Sequence, residues 1–193
     1  MLSKLSEAII LSAGWGKRLQ EAYPDLPKPM VKLNGIPVLE RIIGKLVDYG
    51  ISRFFINVTS STKEFIIEHM SSTFPDLYIK FLEEEELSGT AGAVKKFDSD
   101  IESENFFVVY GDNYFLYDLT AMTDTHINTN SDMTIGFYKS ENPHSGGVAE
   151  MDGNSRILNF IEKPKGEISS PWVNTGIYCV KKKSWNIYNP IGN

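Results

Sequence analysis

Short apolar runs alternate with longer amphipathic stretches along the first half of the chain, and this alternation is typical of an α/β sheet. The runs of strand length lie at residues 7–12, 54–58, 78–82 and 106–110. An apolar stripe at helical spacing over 38–49 stops at Gly50 and predicts a helix with a glycine end. A capping-box pattern of Ser61 and Glu64 predicts a second helix that extends to about residue 72. We therefore predict a core of parallel strands joined by helices.

The second half of the chain spaces its apolar positions differently. The elements predicted there are one helix at 119–130 and four strands at 133–138, 148–151, 157–162 and 172–180. The turn residues Asp152-Gly153-Asn154 join the second and third of these strands and predict a β-hairpin. No internal repeat or linker is visible. The predicted architecture is a single domain over 1–193, a Rossmann-like three-layer α/β fold whose mixed, mostly parallel central sheet carries an inserted antiparallel hairpin.

Composition narrows the class of protein. The chain has 193 residues, of which 41% are hydrophobic and 23% charged, as in an ordinary globular protein. A formal net charge of −6 argues against a general nucleic-acid binder, and no apolar run has the length of a membrane span. Cys179 is the single cysteine, which excludes an internal disulfide. The first residues lack the features of a signal peptide, so we expect a cytoplasmic protein.

Charge is unevenly distributed along the chain. Residues 83–104 contain eight acids and two bases, a run that we interpret as a solvated loop. Between residues 13 and 32 the balance reverses, because Lys17, Arg18, Lys28 and Lys32 outnumber two acids. A basic cluster beside glycines in an acidic protein indicates a small anionic ligand.

The segment that runs from Leu11 through Ala13 and Gly14 to Leu19 follows the first strand and opens a long loop, 13–29. Glycines there allow backbone N–H groups to approach an anion closely. A dinucleotide fingerprint would need glycine at position 19, and a P-loop would need serine or threonine at position 18. The residues alone are equally consistent with a phosphate cradle and with a plain turn that carries surface bases.

Three further motifs carry side chains that could bind a ligand or take part in catalysis. In Pro27-Lys28-Pro29 the prolines restrict the backbone around a lysine, and this restriction would hold the positively charged side chain of Lys28 in place. In Tyr110-Gly111-Asp112-Asn113 a carboxylate follows a buried strand, a position that suits Mg²⁺ or a simple helix cap. The charged pair in Phe160-Ile161-Glu162-Lys163-Pro164 ends a predicted hairpin strand and is a weak signal by itself.

Taken in order, these motifs resemble those of the sugar-1-phosphate nucleotidylyltransferase family, over roughly residues 7–180. The family's Gly-x-Gly-Thr-Arg-Leu signature stands here as Gly14-Trp15-Gly16-Lys17-Arg18-Leu19, and its Pro-Lys-Pro as residues 27–29. The remaining matches are Asn34-Gly35-Ile36-Pro37, Gly89-Thr90-Ala91-Gly92, Gly111-Asp112, Gly147-Val148, Glu162-Lys163-Pro164 and Asn174-Thr175-Gly176-Ile177-Tyr178. So many short motifs in register are hard to obtain by chance.

The resemblance implies transfer of a nucleoside monophosphate from an NTP to a sugar 1-phosphate, with release of pyrophosphate. It implies that Arg18 clamps the triphosphate, that Lys28 stabilises the α-phosphate during transfer and that Asp112 holds the cofactor Mg²⁺. The implied nucleotide-binding residues are Leu11, Ala13, Gly14, Gly16, Lys17, Gly89, Thr90 and Gly92, with the base between Leu11 and a turn at 89–92. The implied sugar-phosphate-binding residues are Gly147, Glu162, Lys163, Asn174 and Thr175.

Two departures from the family pattern are visible. Lys17 replaces the usual threonine and adds a cation near the phosphates. The resemblance also implies a second Mg²⁺-binding aspartate near the end, whereas residues 185–193 contain no acid, so we expect this chain to lack the family's C-terminal end.

The partners implied are an NTP and a sugar 1-phosphate, with neither nucleic acid nor membrane. The segment 85–92 is most similar to that of guanylyl-transferring members, and this resemblance favours GTP. A homo-oligomer is left open. Two other functions stay open. One is a cytidylyltransferase for a non-sugar phosphate, and the other is a non-catalytic regulatory protein that binds nucleotide-sugars.

Overall fold

A computed structural model of the chain describes residues 5–14 and 26–185. These residues form two compact units, one comprising the described residues up to 134 together with 178–185, and the other comprising 135–177. Within the described residues, no helix is both long and apolar enough to cross a membrane. Gly16, Lys17 and Arg18 lie outside the described residues, so their predicted roles stay predictions.

Parallel strands form the centre of the first unit. In chain order its strands are β1 (Glu7–Leu11), β2 (Lys32–Leu33), β3 (Ile36–Pro37), β4 (Arg53–Thr59), β5 (Tyr78–Glu84) and β6 (Asn105–Tyr110). The sheet order is β5-β4-β1-β6, and each neighbouring pair runs parallel. Ala8, Ile9 and Ile10 of β1 are fully buried, as expected for a central strand covered on both faces. The predicted parallel core is confirmed.

The helices predicted at 38–49, from 61 to about 72 and at 119–130 are present, and two further helices are described. The described helices are α1 (Val38–Tyr49), α2 (Lys63–Thr73), α3 (Gly89–Lys96), α4 (Leu119–Asn128) and α5 (Lys182–Trp185). The stripe of α1 is buried at Leu39, Ile42, Ile43 and Leu46. Gly50 ends this helix at φ 120°, and its N–H group donates to the carbonyls of Leu46 and Val47, an end that glycine reaches without steric cost.

The predicted capping box at Ser61 was wrong. Helix α2 starts at Lys63 and its N-cap residue is Thr62, without a side-chain cap bond. The hydroxyls of Ser61 and Thr62 instead lie 3.1 and 3.0 Å from the Thr59 hydroxyl at the end of β4. Hydroxyl groups that bond locally to the preceding turn are no longer available to cap the helix.

The predicted turn at 89–92 was also wrong, because these residues form the first turn of helix α3. Glycines disfavour helices when sequence is considered alone. Here Gly89 is the first helical residue, at φ +73°, where glycine is the permissive choice. A Cβ atom at Gly92 would lie 2.6 Å from the Cβ of Ser88, so a close approach requires glycine there.

Antiparallel strands characterise the second unit. They are β7 (Met133–Lys139), β8 (Gly147–Met151), β9 (Ile157–Glu162) and β10 (Trp172–Lys181); β7 and β10 also have residues in the first unit. Strand β8 pairs antiparallel with β9 and with β10. The Asp152 carboxylate accepts the N–H groups of Asn154 and Arg156 and shapes the turn between β8 and β9. The predicted hairpin is confirmed, and with it the mixed, mostly parallel α/β fold.

A buried carboxylate ties together the amino ends of the parallel strands. One oxygen of Glu7, Oε2, accepts the N–H groups of Glu102 and Ser103 at 2.9 and 2.6 Å. Its other oxygen lies 3.4 Å from Nε of Arg53. A second nitrogen of Arg53, Nη1, lies 2.7 Å from the exposed Glu102 carboxylate. Glu7 is 1% exposed, so its charge is balanced by these groups instead of by water.

We expect Glu7→Gln to lower the free energy of unfolding by about 2 kcal/mol, because the amide keeps the shape but loses the charge-assisted bonds. Urea denaturation measures this change. The control is Glu102→Gln, which changes the other, solvent-exposed carboxylate on Arg53 and should cost less than about 1 kcal/mol. Equal losses in the two variants would contradict a special contribution of the buried group.

Candidate active site

A cavity of about 280 Å³ lies where β1, β4, β5 and β6 end. Ligands of open α/β sheets bind at the carboxyl ends of the parallel strands. The residues that line the cavity are Leu11, Ser12, Ala13, Gly14, Pro29, Asn57, Glu84, Leu87, Gly89, Thr90, Ala93, Tyr110 and Asp112. Five predicted nucleotide-binding residues are therefore brought together here, namely Leu11, Ala13, Gly14, Gly89 and Thr90, along with the predicted metal ligand Asp112.

Three buried residues of the cavity form a continuous hydrogen-bonded chain, which we call the Asn57 relay. The backbone N–H of Ser12 donates to Oδ1 of Asn57 at 2.7 Å. The amide of Asn57 then donates through Nδ2 to Oε2 of Glu84, also at 2.7 Å. Ser12, Asn57 and Glu84 are 2%, 4% and 2% exposed. The relay thus links the ends of β1, β4 and β5 inside the protein.

The far end of the relay carries a negative charge. Oε1 of Glu84 accepts hydrogen bonds from Nζ of Lys96, at 2.7 Å, and from the hydroxyl of Ser88. Burial by itself would raise the pKa of Glu84, but the bonds from Lys96, Ser88 and Asn57 outweigh it and lower that pKa below its ordinary value. Glu84 is therefore an ionised acceptor at neutral pH.

Lys28 and Asp112 meet at the edge of the cavity. Lys28 begins a 3₁₀ turn, Lys28–Met30, that is closed by a 2.8 Å bond from the N–H of Met30 to the carbonyl of Pro27. Pro29 and Met30 are buried, which anchors the turn. The Lys28 ammonium donates to Oδ2 of Asp112, and both side chains stay partly exposed, at 43% and 23%. Two of the three predicted catalytic groups are therefore in direct contact.

Gly111 explains why Asp112 lies beside the start of the glycine loop. A Cβ atom at Gly111 would lie 2.3 Å from the hydroxyl of Ser12 and 3.2 Å from the carbonyl of Leu11. The Gly111 N–H also donates to that carbonyl at 2.9 Å. A larger residue would force the ends of β6 and β1 apart and move the carboxylate away from the loop.

The first turn of helix α3 forms another wall of the cavity. The hydroxyl of Thr90 lies 3.4 Å from that of Tyr110, to which Tyr178 donates at 3.3 Å. The rings of Tyr110 and Tyr178 pack at 5.8 Å between centroids. Gly92, also a predicted nucleotide-binding residue, does not line the cavity; it lies further along the same helix and packs against Ser88.

The predicted sugar-phosphate residues cluster within the second unit. Gly147 of β8 pairs with Glu162 of β9, and the register of Val148 with Val173 puts Asn174 of β10 one position along, next to Gly147. A Cβ atom at Gly147 would lie 2.3 Å from the ring of Phe160 and 2.9 Å from Oε2 of Glu162, so glycine leaves room for both side chains.

Lys163 and Thr175 flank this cluster. Lys163 adopts φ 44°, its N–H donates to the Gly146 carbonyl at 3.1 Å and its ammonium lies 3.8 Å from the Glu162 carboxylate. Lys163 and Glu162 are both about two-thirds exposed, at 66% and 63%, so they are open to a solvent-borne ligand. The Thr175 hydroxyl donates to the Gly136 carbonyl at 2.7 Å, which joins β10 to β7.

Sequence reasoning missed the Asn57 relay and its cation, Lys96. A signal existed for each of the two relay side chains. Asn57 interrupts the apolar run 54–58, and a polar residue in a buried strand must find a partner. Glu84 lies two residues after the end of the predicted strand 78–82, within the acidic run that we interpreted as a solvated loop. That interpretation was wrong for Glu84, which is buried. Cys179 is buried as well, and burial raises the pKa of its thiol to about 12.

With this geometry in place, comparison with known proteins decides the family. The sequence matches the Nucleotidyl transferase family over residues 7–189. The chain belongs to this family. It is thus a member of an enzyme family, and the family identified from its motifs is confirmed.

Two relatives illustrate the range of this family. One is the bifunctional protein GlmU of Methanococcus aeolicus, 35% identical over 94% of this chain. This chain spans 41% of that relative's length. The other is the D-glycero-alpha-D-manno-heptose 1-phosphate guanylyltransferase of Aneurinibacillus thermoaerophilus, 34% identical over 91% of this chain and 75% of that protein.

Among solved structures, HddC from Yersinia pseudotuberculosis aligns with a TM-score of 0.81 at 29% identity, covering 95% of this chain and 80% of that one. HddC complexed with GMP-PN aligns with a TM-score of 0.78, covering 93% of this chain and 78% of that one. The described residues thus have the α/β fold of nucleotidyltransferases.

Proposed function

We propose that this chain transfers a guanylyl group from GTP to a sugar 1-phosphate and releases pyrophosphate. The observation that carries the proposal is the cavity at the strand ends, whose lining includes five of the predicted nucleotide-binding residues and Asp112, the ion-pair partner of Lys28. Support also comes from the relatives, two of which are named as guanylyltransferases for heptose 1-phosphate and mannose 1-phosphate.

The preference for guanine rests on Glu84. An ionised carboxylate only accepts hydrogen bonds and offers about four acceptor positions, of which Asn57, Ser88 and Lys96 use three. Guanine presents two adjacent donors, N1–H and the exocyclic amine, without an acceptor between them. Adenine and cytosine present a ring-nitrogen acceptor beside their amine, and uracil and thymine flank one donor with two carbonyls. The position left on Glu84 can accept one of the guanine donors, and the second donor beside it is also attracted to the negative charge. In the other bases an acceptor lies at that second place and is repelled, so the buried charge favours guanine.

In the proposed reaction an oxygen of the sugar phosphate attacks the α-phosphorus of the nucleotide. A new P–O bond forms, the bond from the α-phosphorus to the bridging oxygen of the β-phosphate breaks, and pyrophosphate leaves. Such transfers depend on positioning and on neutralising the charge that develops on the phosphate oxygens. We assign that neutralisation to Lys28 and, in the glycine loop, to Arg18.

Asp112 is our proposed holder of Mg²⁺, on which the family generally depends. The donor chemistry fits, because Mg²⁺ accepts one protein carboxylate together with phosphate oxygens and water. The described residues contain no group of three or more acids, histidines or cysteines that could hold a metal without substrate. When bound, Mg²⁺ would supply positive charge to the phosphates beside Asp112.

We assign the binding of the sugar 1-phosphate to residues of the second unit. Glu162 would accept hydrogen bonds from sugar hydroxyls, Lys163 would contact the phosphate, and Asn174 and Thr175 would border the sugar beside the Gly147 backbone. The exposure of Glu162 and Lys163, together with the pairing of Gly147 with Glu162, supports this assignment.

A matrix of five nucleotides against several sugar 1-phosphates tests the proposal, with pyrophosphate release as the readout. We expect GTP to be used at least about tenfold better than ATP, CTP, UTP or dTTP, since one lost bond to a charged group corresponds to roughly 1.5–3 kcal/mol. Preference for CTP would favour a cytidylyltransferase. Nucleotide binding without pyrophosphate release from any pair would indicate a regulatory, non-catalytic protein.

A further inference from the structure

We infer that Asn57 is a positioning residue that sets the orientation of two parts of the nucleotide site at once. Its amide oxygen holds the backbone at the start of the glycine loop, and its amide nitrogen holds the carboxylate of Glu84. The inference rests on the proposed function, because it gives that site a specific internal support.

Burial and two hydrogen bonds fix the orientation of the Asn57 side chain. It is 4% exposed and makes both bonds at 2.7 Å, toward residues that are 45 and 27 positions away in the sequence. The parallel register places Asn57 opposite Leu11 on β1 and opposite Leu82 on β5. An amide is the side chain suited to this position, since it offers an acceptor toward the Ser12 N–H and a donor toward the carboxylate.

Two consequences follow for nucleotide binding. The Ser12 N–H is bound to Asn57, which fixes the peptide that leads into Ala13 and Gly14, where the proposed phosphate loop begins. The Glu84 carboxylate is held at Oε2 by Asn57 and at Oε1 by Lys96 and Ser88. These bonds fix the orientation of the carboxylate, and with it the direction of the one acceptor position that stays open. Loss of either bond loosens a group that should contact the nucleotide, which costs binding energy on ordering.

The decisive variant is Asn57→Asp, which keeps the shape and the acceptor for Ser12 but replaces the donor toward Glu84 with a carboxylate. Two buried carboxylates at this separation cannot both ionise without strong repulsion, so the pair retains one shared proton up to a raised pKa. With that proton the O–H···O bond restores the relay. Without it, repulsion turns Glu84 away from its wild-type orientation.

The readout is the KM for GTP of the full chain between about pH 5.5 and pH 8.5, with saturating sugar 1-phosphate. We expect the KM of Asn57→Asp to approach the wild-type value at the acid end and to rise about tenfold or more at the alkaline end. The wild-type KM should change far less over this range. Asn57→Ser, which cannot span both partners, should show a raised KM at every pH.

Asn105→Asp is the matched control. Asn105 also accepts a side-chain hydrogen bond, a partly buried one from Nε2 of His126 at 3.1 Å, but it does not line the cavity. Aspartate can accept that bond as well, so the KM of this variant should follow the wild-type pH profile.

The outcomes separate the two proposals. If the wild type uses GTP and Asn57→Asp shows a flat wild-type KM profile, or Asn57→Ser binds GTP normally, the role of Asn57 is overturned and the proposed function stands. If the wild type uses another nucleotide, the assignment of guanine fails, and the same pH dependence measured with that nucleotide still supports the positioning role. If no nucleotide binds, both proposals fall together.

Discussion

Asp112→Asn should reduce pyrophosphate release by about a thousandfold or more, which corresponds to roughly 4 kcal/mol of transition-state stabilisation. The exchange keeps the shape at the end of β6 and removes one negative charge. That charge would hold Mg²⁺ against the nucleotide phosphates, and in the described structure it already binds the Lys28 ammonium. Steady-state kinetics with saturating GTP, Mg²⁺ and sugar 1-phosphate measures the loss.

Asp118→Asn provides the control for Asp112. The Asp118 carboxylate caps helix α4 by accepting the N–H groups of Thr120 and Ala121 at 2.9 and 3.1 Å, a task that asparagine performs equally well. It does not line the cavity, so its variant should keep wild-type turnover. Robust pyrophosphate release by Asp112→Asn would contradict the metal assignment. So would tight Mg²⁺ binding by the nucleotide-free protein in calorimetry, because a single carboxylate with water binds this ion weakly.

Lys28→Ala should lower kcat by about a hundred- to a thousandfold and leave the KM for GTP within a few-fold of the wild type. The ammonium is occupied by Asp112 before substrate binds, so it adds little to ground-state affinity. Its contribution is expected when negative charge builds up on the α-phosphate oxygens during transfer. A change confined to KM would instead make Lys28 an ordinary binding residue.

Lys32→Ala is the matched control for this lysine. Lys32 lies on β2, four positions along the same segment, and is exposed, so removal of its charge tests for a general electrostatic effect on GTP. Because Lys28 and Asp112 are in contact, the double variant should be only slightly slower than the slower single variant. Fully additive losses would show that the two residues act independently.

Much of the fold could be predicted from the sequence because it depends on local patterns. The buried strand β1 follows from a continuous apolar run, and helix α1 follows from its stripe and from Gly50. The site was predicted in the same local way, one motif at a time. The structure brings Gly14, Lys28, Asp112 and the Gly89 turn of α3 to one edge of the sheet, although Lys28 and Asp112 are 84 positions apart.

The errors share a physical cause. The helix at Gly89 was missed because propensity disfavours glycine, whereas close packing against Ser88 requires it at Gly92. The capping box at Ser61 does not form because the hydroxyls of Ser61 and Thr62 lie at hydrogen-bond distance from the Thr59 hydroxyl instead. In both cases a contact made in the folded protein outweighed the local preference: the packing of Gly92 on Ser88 in the first, and the hydroxyl bonds to Thr59 in the second.

By itself the sequence determined the alternation of strands and helices, the order of the motifs and thereby the family, since each depends on residues close together in the chain. Only the tertiary structure decided what Glu84 and Asn57 do. Their partners lie 27 and 45 positions away, on strands whose register is set by burial of the whole sheet. Burial then turned a residue of an acidic run into a paired, ionised acceptor within the cavity, because a charge removed from water must be satisfied by the protein groups around it.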